Sequence, residues 1–175
     1  EIASELFIQL LKAGSEGNLP FEPIVASGPN SALPHAIPSD RKLEVGDLLL
    51  IDWGARVDGY VSDLTRTFAI EQLDPELAKV HETVCLANAT GREAVSTSVS
   101  GAEVDLAARD VIEAAGYGEQ FIHRLGHGIG LESHEPPYLS SDNRELLQAG
   151  NAITIEPGIY LPGRGGVRIE DDVIV

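Results

Sequence analysis

A chain of 175 residues with 43% apolar side chains has the length of one ordinary domain and enough apolar surface for a real core, which excludes a disordered protein. Its formal net charge of −16 argues against a nucleic-acid partner and against anionic membrane surfaces, and suits sites that hold cations. No apolar run approaches a membrane span, no leader pattern opens the chain, and the single cysteine, Cys85, excludes an internal disulfide framework and fits a reducing, cytoplasmic compartment.

Apolar residues at Ile2, Leu6 and Leu10, with Phe7 and Leu11 beside them, predict a helix over 1–13 that stops at Gly14. A short apolar stretch, Ile24 to Ala26, follows. Residues 28–40 carry three prolines and are expected to be irregular or extended; His35 lies there. The run Leu48 to Ile51 then ends on Asp52, and Asp58-Gly59 is a strong signal for a two-residue hairpin turn. With that turn, Val57 opposes Tyr60 and Asp52 opposes Thr65. Asp63 then shares a face with Asp52, roughly 7–8 Å away by backbone position. Two such carboxylates repel each other unless a cation sits between them. Asp74-Pro75 is expected to open a long helix with the stripe Leu77, Val80, Val84, Ala87 and Ala94. A second helix, about 102–115, ends at Gly116. A Gly-rich stretch (126–130), S-H-E-P-P and a strand pair from Ala152 to the end complete the chain.

The chain repeats itself weakly. L-E-V-G-D-L-L-L-I-D (43–52) aligns with L-Q-A-G-N-A-I-T-I-E (147–156) at a constant offset of 104 residues. The final acid recurs as Asp52 and Glu156, and each is followed by a turn and another acid, Asp63 and Glu170. The second spacing is fourteen residues against eleven, and P-G-R-G-G (162–166) suits a wider loop there. Two α+β halves that each contribute a pair of acids would bring four carboxylates to one interface. His127, flanked by glycines in G-H-G-I-G, stands out as a fifth ligand, with small neighbours that would let a metal approach the backbone. Four carboxylates balance two divalent cations, the arrangement of two-metal hydrolases, and oxygen-rich ligation with one imidazole favours Mn, Co, Fe or Zn. The competing interpretation is a set of solvated loop acids.

Three further histidines, His35, His123 and His134, lie near these ligands in sequence, able to donate to a substrate carbonyl or carboxylate. Arg168, two residues before Glu170, either pairs with that acid or holds a substrate carboxylate. His81 and Cys85 at i, i+4 mimic a metal pair but have no third ligand nearby and read as structural. G-H-G-I-G and G-R-G-G lack the spacing of nucleotide-binding loops.

Taken together, V-A-S-G-P-N-S-A-L-P-H (25–35), I-D-W-G-A (51–55), S-D-L-T-R-T-F (62–68), H-R-L-G-H-G-I-G-L-E-S-H-E-P-P (123–137), T-I-E-P-G-I-Y (154–160) and G-V-R-I-E-D (166–171) make the chain resemble the pita-bread metallopeptidases. These are methionine aminopeptidase, aminopeptidase P and prolidase. The resemblance implies an α+β pita-bread fold of two pseudosymmetric halves, with a curved antiparallel sheet covered by helices. It implies two divalent metal ions, with manganese expected, held by Asp52, Asp63, His127, Glu156 and Glu170, of which Asp63 and Glu170 reach both. It implies Glu156 as the acid–base group, and His35, His123, His134 and Arg168 around the substrate. E-S-H-E-P-P and the short spacing from Glu156 to Glu170 resemble the prolidase and aminopeptidase P branch. That branch implies cleavage of Xaa-Pro bonds in di- or oligopeptides and a homodimer for the full-length protein. The alternatives are a methionine-aminopeptidase-like specificity or a non-catalytic pita-bread module. With no methionine even at position 1, the chain is expected to be a domain cut from something longer. The resemblance implies that residues 1–175 are a catalytic domain cut at both ends, preceded in the whole protein by an N-terminal domain.

Overall fold

The periodic apolar residues at the start form helix α1 (Ile2–Lys12) in the computed structural model, which describes residues 1–175. Gly14, at φ +106°, ends it where a side chain would be strained. Strand β1 (Ile24–Ser27) follows. Residues Gly28–Ala32 then form a 3-10 turn where an irregular or extended stretch was expected. The difference has local causes. Gly28 turns the chain at φ +53°, Pro29 occupies an early helical position where its missing N–H costs nothing, and Ser31 Oγ closes onto Gly28 O at 2.6 Å.

Strands β2 (Leu48–Trp53), β3 (Arg56–Val57), β4 (Tyr60–Val61) and β5 (Leu64–Ala69) make the predicted hairpin. Val57 opposes Tyr60 and Asp52 opposes Thr65, as the turn requires. Asp58 and Gly59 both have positive φ, +51° and +83°, the requirement of the tight turn that matches strand twist. Strand β1 adds on the other edge, with Ile24 opposite Asp52, to give the order β1-β2-β5.

Asp74 caps helix α2 (Pro75–Ala94) by accepting from the N–H groups of Glu76 and Leu77. Helix α3 (Gly101–Ala114) starts at a reciprocal cap between Ser100 and Glu103, a signal that places its first residue slightly ahead of the expected one. The two helices pack on each other. Leu77, Val80, Val84 and Ala87 meet Val104, Ala108 and Ile112, and together they cover Leu48, Ile153, Ile155, Ile159 and Val167 of the strands.

The second half holds more strands than the expected pair. Strands β6 (Gly126–Gly128), β7 (Glu135–Leu139), β8 (Ala152–Ile155) and β11 (Asp171–Ile174) form a sheet in the order β11-β8-β6-β7. Strands β9 (Gly158–Leu161) and β10 (Gly165–Arg168) form a separate hairpin. The wider loop expected at 162–166 is instead a tight connection, with Leu161 paired to Gly165 and Gly163 at φ +78°. The extra residues of the second repeat are taken up by this hairpin. The order β6-β8-β11 matches β1-β2-β5, so the sequence repeat is a structural one. A bridge between Thr65 and Glu170 stitches the halves together. No helix is long and apolar enough to cross a membrane.

Candidate metal centre

Each acid sits where its strand ends or breaks. Asp52 is near the end of β2, Asp63 lies at the break before β5, Glu156 follows β8, and Glu170 lies between β10 and β11. His127 is the middle residue of β6. All five line one cavity of about 860 Å³, together with His35, His123, His134 and Arg168. The structure therefore brings all nine residues singled out from the sequence to one place. His81 lies elsewhere, with Nε2 3.0 Å from Thr67 O and Nδ1 3.6 Å from Cys85 Sγ.

Ligating atoms of Asp63, His127 and Glu170, all buried, lie within 4.8 Å of one another. His127 holds its Nδ1 against Gly128 O at 3.0 Å, which turns Nε2 toward the acids. That nitrogen is 3.2 Å from Glu156 Oε1 and 3.9 Å from Asp63 Oδ2. It can take a proton shared with Glu156 or a cation. Asp52 Oδ1 is buried with no N–H or hydroxyl directed at it, and a protonated Asp63 carboxyl is the neighbour that can hydrogen-bond Asp52 there. Thr65 Oγ1 donates to Glu170 Oε2 at 2.6 Å, Thr154 Oγ1 to Glu156 Oε1 at 3.3 Å, and the Asp63 N–H to Asp172 Oδ2 at 3.1 Å.

Crowding shows in the acidities. Burial, reinforced by Asp52 and Glu156, pushes Asp63 up to about 9. Burial and the neighbouring acids Glu156, Asp63 and Asp52 push Glu170 well above the carboxylate range. Burial raises Asp52 as well, against the pull of Arg168. Glu156 differs. Burial disfavours its charge too, but His127, His123 and Arg168 hold it below its ordinary value. Burial and mutual repulsion thus raise three of the four carboxyls, while Glu156 is the one whose surroundings favour the anion.

Arg168, only 3% exposed, does not pair with Glu170. It donates to Asp52 Oδ2 at 2.6 Å, Thr65 Oγ1 at 3.1 Å and Tyr160 Oη at 2.8 Å. His123 is engaged at both nitrogens, by Arg124 O at 2.7 Å and Tyr160 Oη at 2.9 Å. His134 packs edge-on against His127 with ring centres 4.2 Å apart. Burial lowers the pKa of both His123 and His134. His35 lies on the cavity wall. Sequence reasoning missed Thr65, Thr154, Asp172 and Tyr160. Thr65 was within reach, because its pairing with Asp52 follows from the turn. Tyr160 was not, because the break after Glu156 interrupts strand alternation.

The glycines around His127 serve a different purpose from the one expected. A Cβ on Gly126 would lie 1.9 Å from Thr154 O, and one on Gly128 2.4 Å from Pro136 O. They admit neighbouring backbone, which lets β6 sit between β8 and β7.

The family model of metallopeptidase family M24 matches residues 1–175. The chain belongs to metallopeptidase family M24. This M24 chain is 45% identical over 166 residues to the Xaa-Pro dipeptidase of Pyrococcus furiosus, covering 95% of the chain and 48% of that protein. The crystal structure of recombinant prolidase from Thermococcus sibiricus superposes with a TM-score of 0.97 at 46% identity, covering 100% of the chain and 48% of that structure. X-Pro aminopeptidase from Thermotoga maritima gives a TM-score of 0.95 at 44% identity, with 99% and 49% covered. The fold is thus the α+β pita-bread fold of the prolidase and aminopeptidase P branch of M24. The chain spans about half the length of the curated relatives it matches.

Proposed function

We propose that this chain is the catalytic part of a metal-dependent exopeptidase that hydrolyses Xaa-Pro bonds. The observation that carries the reading is the meeting of Asp63, His127 and Glu170 from both halves, with donor atoms within 4.8 Å of one another. The donor set fits cations on two counts. Burial and mutual repulsion raise the Asp63 and Glu170 carboxyls, a crowding that bound cations would relieve, and Asp52 Oδ1 is buried without a hydrogen-bond partner. Asp52, Asp63, His127, Glu156 and Glu170 would hold two divalent ions, and the oxygen-rich set favours manganese while accommodating Co, Zn or Fe. Such ions, when bound, polarise a carbonyl and acidify a water.

The chain's own residues supply positioning and proton transfer. Glu156 is the one acid of the four whose surroundings favour its charged form beyond the ordinary carboxylate, and Thr154 and His127 fix its Oε1. It can take a proton from an attacking water and pass it to the leaving proline nitrogen. That nitrogen carries no hydrogen in an Xaa-Pro bond, so it must receive one to leave as an amine. His35 and His134 line the wall as donors to the substrate, and Arg168 with Tyr160 holds Asp52 and His123 in place. The relatives named Xaa-Pro dipeptidase and X-Pro aminopeptidase support the choice of bond.

Two measurements test this. Protein supplied with excess manganese should carry about two ions per chain, and Asp63→Ala should lose at least one; a protein that binds none sinks the site. Among Ala-Pro, Ala-Pro-Ala and Met-Ala-Ser, one or both of the first two should be cleaved. Rapid cleavage of the third alone would move the chain to the methionine-removing specificity.

A further inference from the structure

Asn88 lies on the buried face of α2, beside Val84, Ala87 and Gly91, and is itself only 2% exposed. A buried amide needs partners for its two N–H groups and its oxygen. Asn88 finds all of them. Its Nδ2 donates to Ile155 O at 2.9 Å and to Ile169 O at 3.3 Å. Its Oδ1 accepts from Arg92 Nε at 2.9 Å. Carbonyls only accept and a guanidinium only donates, so the amide fits one way round. Gly91, one turn further on, lets the helix come this close. A Cβ there would lie 2.9 Å from Ile155 Cγ2.

The two carbonyls have a particular place in the chain. Ile155 precedes Glu156 and Ile169 precedes Glu170, the two acids of the second half. Each carbonyl belongs to the planar peptide unit whose far end is the Cα of the acid. In both units the N–H is held as well, Glu156 N by Leu125 O at 2.8 Å and Glu170 N by Thr65 O at 3.1 Å. A peptide plane fixed at its oxygen and at its N–H cannot tilt. One nitrogen on α2 therefore aligns the backbone of Glu156 with that of Glu170. Arg92 ties the same helix to the next residue, with Nε 3.3 Å from Asp171 Oδ2, and Arg66 joins Asp171 Oδ1 to Glu170 O.

We propose that Asn88 is a positioning residue of the metal centre, setting the separation of Glu156 and Glu170 and with it the capacity of the site for two cations. The proposal rests on the metal-dependent reading above. Asp52 and Asp63 come from the hairpin of the first half and make no bond to Asn88. Loss of the amide should therefore weaken one ion of the pair more than the other.

Calorimetric titration of the chelated full-length protein with manganese reads this without turnover. The parent protein should take up two ions. Asn88→Asp keeps the shape and the bond to Arg92 but puts an acceptor where the donor was. Asn88→Ala removes the amide altogether and carries the test if Asn88→Asp does not fold. In either variant the more weakly held ion should bind ~10-fold or more weakly, and the tighter ion should stay within ~3-fold of the parent. Val80→Ala truncates the buried face of the same helix away from both carbonyls. It controls for lost stability and should leave both affinities within ~2-fold. If the Asn88 variants hold both ions as the parent does, or if Val80→Ala weakens the same ion equally, Asn88 only supports the helix; the assignment is then wrong and the metal centre stands. If the parent protein takes up fewer than two ions, the two-metal reading and the proposal both fall.

Discussion

The hydroxyl of Tyr160 has one proton to give. Arg168 Nη1 can only donate to it, at 2.8 Å, so that proton goes to His123 Nε2 at 2.9 Å. His123 then keeps its own proton on Nδ1, against Arg124 O. This relay holds His123 neutral, in keeping with the lowering of its pKa by burial. Burial also pushes the Tyr160 phenol up to about 12, so it stays protonated at any working pH. Tyr160→Phe removes one acceptor from Arg168 and one donor from His123 in a buried setting. It should cost about 2 kcal/mol of stability and lower kcat/KM by about 10-fold, read by thermal unfolding and by steady-state kinetics. An unchanged kcat/KM would reduce Tyr160 to a packing residue. None of this was legible in the sequence. Spacing put Arg168 on the side of Glu170, whereas its guanidinium crosses to Asp52 of the other half, because a buried arginine seeks the carboxylate that the fold delivers rather than its strand neighbour.

Local chemistry made the elements easier to read than the contacts between them. The Asp58-Gly59 turn fixes the register of the whole hairpin, so the facing of Asp52 and Thr65 followed from two residues. Asp74 and Pro75 announced α2 for equally local reasons. The strands after Ala152 were harder. They are four residues long, broken at Glu156 and Glu170, and their pairing is decided by distant partners. The glycines of G-H-G-I-G illustrate the same limit. A glycine beside a ligand suggests room for metal, yet here it makes room for a neighbouring strand. Gly126→Ala should therefore act on folding first. Its Cβ would sit 1.9 Å from Thr154 O, a backbone atom that cannot swing aside, and β6 would have to leave β8. We expect a loss of about 3 kcal/mol or more by denaturant unfolding, with metal affinity falling as a consequence. A variant that folds with parental stability but fails to bind metal would show that the glycine serves the ion directly.

At the scale of the whole molecule, the repeat was the feature that carried furthest, because it put two pairs of acids on one interface before any contact was known. The same convergence sets how the metal-free protein must respond to pH. The Asp63 carboxyl, ordinarily near 3.8, is raised to about 9 by burial and by its neighbours Asp52 and Glu156. Between those two values the unfolded chain has lost a proton that the folded chain keeps. The folded state then binds more protons, so stability falls as pH rises across the window, by up to ~1.4 kcal/mol per pH unit for one such carboxyl. Glu170 and Asp52 are shifted in the same direction and add to the slope. Glu156 is shifted downward, so its contribution is present above its ordinary pKa and is lost only at more acid pH. Chelated protein should therefore melt several degrees lower at pH 8 than at pH 5. Divalent cation replaces the protons and binds the ionised carboxylates, so protein in excess manganese should reverse the trend and melt higher at pH 8. Thermal unfolding at both pH values, with and without chelator, measures both slopes. A chelated protein whose melting temperature is flat or rises over this range would mean that the four acids do not share one crowded site.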